Sequence, residues 1–171
     1  SFGKIQAEEI RLTRENGTAS SGRIEDGTEE QYAKLKQLDY IKQVGKSIFV
    51  GEATDVSENN EKTICDIVWA DSESWNNFLR PAYTNVIGNY PQKKDEILLS
   101  ERALKKRGIS EPEQGMEINL DVYKGLFEHS KEKFKLCGWY TDSGNKLAIG
   151  YISHDKINEL NLEKGPYTLL F

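Results

Sequence analysis

The segments Gly88-Asn89-Tyr90-Pro91, Asp95-Glu96-Ile97-Leu98-Leu99-Ser100, Gln114-Gly115-Met116-Glu117-Ile118-Asn119-Leu120 and Phe134-Lys135-Leu136-Cys137-Gly138-Trp139-Tyr140 decide how this chain of 171 residues is read. Pro91 closes a turn and keeps the residue before it extended. Glu96 to Leu99 form a short apolar strand that runs into a helix. Ser100 can cap that helix, because its hydroxyl accepts from the free amides of the first turn. Leu99 and Leu104 have the spacing of a hydrophobic staple. Lys105, Lys106 and Arg107 stand where positive charge complements the helix dipole. Gly108 followed by Ile109 has the form of a Schellman ending. Met116, Ile118, Leu120 and Val122 then alternate with Glu117, Asn119 and Asp121, the pattern of a half-buried strand. Phe134, Leu136 and Gly138 begin another at the same period.

Outward from this block the signals stay local. Lys4 to Thr13 reads as a strand whose alternation slips at Glu8-Glu9. Residues 14–27 read as a loop, with Asn16-Gly17 a turn. Thr28 and Gln31 form a capping box for a helix whose face is Tyr32, Leu35 and Leu38. Ser47–Ala53 and Thr63–Trp69 read as strands around a polar hairpin tip at 54–62. Asp71 caps a helix carrying Trp75, Phe78 and Leu79, which Arg80-Pro81 ends. After the central block, Thr141 to Asn145 is a tight turn and Leu147–Ile152 a strand. Ser153 caps a helix with Ile157 and Leu160 inward, and Gly165-Pro166 precedes a last strand. Besides the tip, the loop 123–132 is the segment expected to be most exposed.

The pattern Gly88-x-x-Pro91, Glu96-Ile97-x-Leu99-Ser100, Ala103-Leu104, Gly115-x-x-Ile118 and Phe134-x-x-x-Gly138-x-Tyr140 resembles the extracytoplasmic, MacB-like periplasmic core domain of FtsX-like ABC transporter permeases. Thr28 to Leu35 with Ile41, and Tyr151-Ile152-Ser153, fit the same resemblance, which covers most of the chain. It implies a two-lobed α+β fold. A porter-like β-α-β lobe would be built from residues 1–85 and 148–171, and a mixed β/α Sabre-like lobe, 86–147, inserted into it. It further implies a non-catalytic domain between two membrane helices, on the extracytoplasmic face of a bacterial cell membrane. The implied partners are the rest of its own permease chain, a second permease subunit and a cytoplasmic ATPase subunit. A peptide, lipoprotein or cell-wall partner outside the membrane is also implied. Ser1 is not an initiator methionine, and the same resemblance expects membrane helices on both sides of this stretch.

Composition bounds the alternatives. Hydrophobic residues make up 37% and mean hydropathy is −0.67, which fits a soluble domain. No apolar run reaches the length of about 18 residues that spans a bilayer. Net charge is −5 with both signs interspersed, which argues against nucleic acid and against binding an anionic lipid surface by charge. Cys65 and Cys137 read as two buried thiols or as one disulfide in an oxidising compartment, and their spacing fits no zinc site.

Chemistry is sparse. His129 lies in a charged segment expected to be a solvated loop, and His154 in the first turn of a helix; neither has metalloprotease spacing. The acid pairs Glu8-Glu9, Glu25-Asp26, Glu29-Glu30, Asp71 with Glu73, and Asp95-Glu96 read as capping and solvation. A glycosidase would instead need two of them facing each other. No phosphate-binding loop or calcium loop is present. No catalytic, cofactor or metal residue is therefore expected. Trp69, Trp75 and Trp139 read chiefly as core. Trp139 and Trp75 are the candidate partner contacts, with Trp139 placed opposite in phase to Phe134 and Leu136, and Tyr140 in phase with them. Two other readings stay open: a secreted or surface-anchored binding module, and a small cell-wall or carbohydrate hydrolase.

Overall fold

The computed structural model describes residues 18–56, 62–144 and 146–171. In chain order the elements are β1 (Arg23–Gly27), α1 (Glu29–Gln37), β2 (Gly45–Asp55), β3 (Thr63–Ala70), a π-helical segment (Ser74–Leu79) with a 3-10 turn (Arg80–Ala82), β4 (Thr84–Gly88), β5 (Glu96–Ser100), α2 (Glu101–Lys106), β6 (Glu117–Lys124), β7 (Glu128–Thr141), β8 (Ile149–Ile152), α3 (His154–Glu159) and β9 (Tyr167–Leu170). The fold is α+β, with one mixed sheet and few helices.

The helix ends follow the local signals. Thr28 and Gln31 make a reciprocal capping box. Ser100 Oγ accepts from the Arg102 amide at 3.1 Å. Gly108 has φ +78°, its amide donates to Lys105 O, and the Ile109 amide donates to Leu104 O, a complete Schellman ending. Asp71 Oδ1 accepts from the Ser74 amide at 2.8 Å, so the expected cap is present. The helix it starts is wound more loosely than expected, as a π-helical segment.

The sheet runs β1-β9-β2-β3-β8-β5-β7-β4, and β6 pairs with both β2 and β7. The pairings β2·β3, β3·β8, β8·β5, β5·β7, β7·β6 and β6·β2 therefore close a ring of six strands. Two short seams close it, Ile97↔Ile152 to Leu99↔Gly150 and Ala53↔Val122 to Asp55↔Leu120. Every ring strand contributes to one core, including Ile48, Ile67, Ile152, Leu99, Phe134 and Leu120. α2 adds Leu104 and α3 adds Ile157. A second cluster under the π-helical segment holds Trp75, Phe78, Leu98, Tyr140 and Tyr151.

Several expectations change. The strand expected at Lys4–Thr13 lies outside the described residues, as do 57–61 of the hairpin tip and Asn145 of the turn after β7. The end of the expected loop 14–27 is strand β1, and β4 was not foreseen. The loop 123–132 is a hairpin: β6 and β7 pair through Lys124↔Glu128, with only Gly125–Phe127 as the turn. His129 is thus on a strand, its Nδ1 2.9 Å from Asp121 Oδ1 and its ring stacked on Tyr123. Tyr140 and Trp139 exchange their expected faces. Ile97 faces Leu136 while Leu98 faces Gly138, so Cys137 is an extra residue that reverses the alternation. Trp139 packs on the core that holds Phe134 and Leu136, and Tyr140 joins the second cluster.

Candidate functional site

The outer face of β1, β9, β2, β3 and β8, bordered by Leu79, Ala82 and Tyr83 at the end of the π-helical segment, forms a cleft of about 510 Å³. Its floor includes Phe49, Val68, Ile149 and Tyr151, with Phe49 57% and Leu147 54% exposed. Arg23 and Glu25 stand on one rim, 3.1 Å apart. The other rim is a clasp: Arg102 Nε donates to Asp142 Oδ1 at 2.7 Å and Nη2 to Oδ2 at 2.9 Å. Ser100 Oγ and the Gly144 amide also donate to Asp142, and Arg102 reaches Lys146 O. The bidentate pair fixes the loop after β7, and the hydrogen bonds to Asp142 hold Arg102 still more firmly protonated.

Asp66 is the group the sequence does not advertise. It sits in Thr63-Ile64-Cys65-Asp66-Ile67-Val68, an otherwise apolar run, and points to the cleft rather than the core. Burial, and then the nearby Glu52 carboxylate, push its carboxyl above the usual range. Its Oδ1 is buried without a hydrogen-bond partner among the described residues.

A second cleft of about 450 Å³ is walled by Trp69, Trp75, Tyr90, Pro91, Arg80 and His154. The His154 ring packs at a tilt against Trp69, with centroids 5.3 Å apart. The Tyr90 hydroxyl receives the Ala70 amide at 2.7 Å and donates to Ile152 O at 2.9 Å, tying the turn at 88–91 to the ends of β3 and β8.

The sequence candidates are distributed as follows. Trp75 is 5% exposed and packs edge-on against Tyr151, so it is floor rather than surface. Trp139 is half-buried on β7, away from both clefts. The acids pair or cap individually: Glu29 with Lys46, Glu30 with Lys34, Asp95 with Lys135, and Glu96 with the amides of Gln92 and Lys93. Glu8-Glu9 lie outside the described residues. Cys65 and Cys137 are free, and burial pushes each thiol up to about 12. Among the described residues no three of His, Cys, Asp and Glu gather as metal ligands, and no helix is long and apolar enough to cross a membrane.

No family model and no curated protein sequence matches the chain. Solved structures do. One is the extracellular domain of the noncanonic ABC-type transporter YknZ from Gram-positive bacteria, at 15% identity and TM-score 0.49, over 84% of this chain and 72% of that one. Another is a domain of a protein assigned as a permease from Porphyromonas gingivalis, at 12% identity and TM-score 0.50, over 86% of this chain and 67% of that one. The chain thus shares its fold with that domain, and the α+β part of the expected fold class is met.

Proposed function

We propose that this chain is the extracytoplasmic domain of an ABC transporter permease subunit. In this reading it has no chemistry of its own and transmits the motion of membrane helices to a substrate or partner outside the membrane. The shared fold with the Porphyromonas gingivalis permease domain carries the reading. The meeting of the start of β1 with the end of β9 supports it. The Gly22 amide donates to Phe171 O at 2.8 Å and the Phe171 amide to Gly22 O at 3.1 Å, so the last strand stops beside the first. A domain set between two membrane helices needs such adjacent connections.

The chain divides, on this proposal, into a porter-like part, 1–85 and 148–171, and an inserted Sabre-like part, 86–147. The strand order supports the division: β1, β9, β2, β3 and β8 come first, and β5, β7 and β4 follow. The two parts are sewn together. Lys156 Nζ of α3 donates to Glu132 of β7 at 3.0 Å, Arg107 pairs with Asp55 at 3.3 Å, and Lys124 Nζ donates to Leu160 O at 3.2 Å. Motion is therefore passed on by one stiff body. Its partners are the rest of the permease chain, a second permease subunit and the cytoplasmic ATPase subunit. A peptide, lipoprotein or cell-wall partner would meet the open clefts, with Trp75 in the wall of the smaller one and Trp139 on the flank of β7.

The test is made in the parent protein. Excising this domain should leave the ATPase subunit bound to the permease while transport or signalling is lost. Transport that survives excision, or a parent that recruits no ATPase, would overturn the reading.

A further inference from the structure

The end of the sheet where β1 starts and β9 stops carries a patch that the fold does not use. Leu170 pairs with Arg23 on one side and Gly45 on the other. The loop that leads into Gly45 is Leu38-Asp39-Tyr40-Ile41-Lys42-Gln43-Val44. It is anchored at both ends: the Leu38 amide donates to Leu35 O, the Ile41 amide to Leu38 O, and Val44 is buried. Ile41 packs on the core, which turns its neighbours outward. Tyr40 is 81% exposed and Leu38 37%. Lys36 and Lys42 are exposed near them together with the acid Asp39, while Lys34 is paired with Glu30, on a chain whose net charge is −5.

A large exposed tyrosine beside an apolar residue, flanked by lysines, is the composition that rests at lipid headgroups. The ring lies at headgroup depth and the ammonium groups reach phosphate. We propose that this loop contacts the bilayer surface, with the Tyr40 ring among the headgroups and Lys36 and Lys42 on anionic lipid phosphates. The proposal rests on the permease reading, because there the chain beyond Phe171, at the end of β9, would lead to the membrane. The other exposed apolar pair, Leu126 and Phe127, has no such continuity with the chain ends. The lysine next to it, Lys124, is engaged by Glu128 and Leu160 O.

The 171-residue chain with a C-terminal hexahistidine tag can be held on vesicles through a nickel-chelating lipid. An environment-sensitive dye is placed by Gln43→Cys. Labelling is selective, because Cys65 is buried, Cys137 is partly buried, and burial raises both native thiols well above an exposed cysteine. On vesicles of phosphatidylcholine with phosphatidylglycerol the dye should blue-shift. Tyr40→Ser and Lys42→Glu should each cut the shift severalfold, and a dye at Phe127→Cys should not respond. The proposal fails if the position-43 dye does not shift, if neither substitution reduces its shift, or if position 127 responds instead. It also fails if position 43 shifts with protein concentration in the absence of vesicles, which would mark a second copy as the occupant. A silent dye in a parent that still binds its ATPase removes the lipid contact alone and leaves the permease reading standing.

Discussion

Gly51 is the residue at which the ring closes most tightly. A Cβ there would lie 1.9 Å from the Tyr123 carbonyl oxygen and 2.9 Å from its carbon. Both are backbone atoms of β6, held by the pairings with β2 and β7. Gly51→Ala must push the seam apart, and we expect a loss of about 3 kcal/mol in urea unfolding. Gly108→Ala is the internal comparison. It meets open space at φ +78° and should lose only about 1 kcal/mol, the cost of a left-handed backbone. Equal losses at both would show that the close approach at Gly51 carries no strain. Capping residues such as Ser100 and Thr28 were legible in the sequence, because a cap acts on amides two or three residues away. The face of Trp139 was not legible. It depends on the extra residue at Cys137, and a bulge is set by the partner strand β5.

Among elements, the π-helical winding after Asp71 and the outer β6–β7 hairpin, 123–132, escaped the sequence for opposite reasons. The former has the apolar spacing of an ordinary helix. The latter lacks apolar alternation, since Glu128 to Lys133 is polar throughout and the arm is held by ladder bonds and cross-strand pairs such as Asp121–His129. The contact between β7 and α3 is electrostatic and gives a pH signature. Lys156 Nζ lies 3.0 Å from Glu132 and 2.9 Å from Glu159, above the Phe134 ring. Burial alone would lower the Lys156 pKa, but its hydrogen bonds to Glu159 and Glu132 outweigh this and raise it above 10.5. The hydrogen bond from Lys156 is the main reason Glu159 titrates below 4.5. A raised lysine stabilises up to its unfolded pKa and loses that contribution as pH climbs through the folded one. A lowered carboxylate stabilises above its unfolded pKa and loses that contribution as pH falls through the folded one. Lys156→Met should therefore cost about 2 kcal/mol at neutral pH, less than for a fully buried pair because Glu159 is half exposed. The gap between wild type and variant should narrow below pH 4.5 and above pH 10.5 in urea titrations. A gap that stays constant across that range would mean the lysine acts by packing alone.

For the whole molecule the decisive property is that the ring is closed. A lever built of two hinged lobes would part at β5·β8 and β2·β6, where each seam is three residue pairs long. Sequence reasoning reached most of the strands and helices, because their signals are local, but not the seams, which join residues far apart in the chain. Three features oppose parting. The core runs across both seams. Tyr90 satisfies backbone groups at the ends of β3 and β8 from the other part of the chain. Removing any one pairing leaves two strands with unpaired edges, which a closed ring avoids. Native-state hydrogen exchange separates the alternatives. In a stiff body the seam amides are released only by global unfolding, so they exchange with the same free energy and denaturant dependence as the ladder of β2 with β3. Seam amides that open several kcal/mol more easily, with a smaller denaturant slope, would mean that the two parts swing, and transmission by a single body would have to be abandoned.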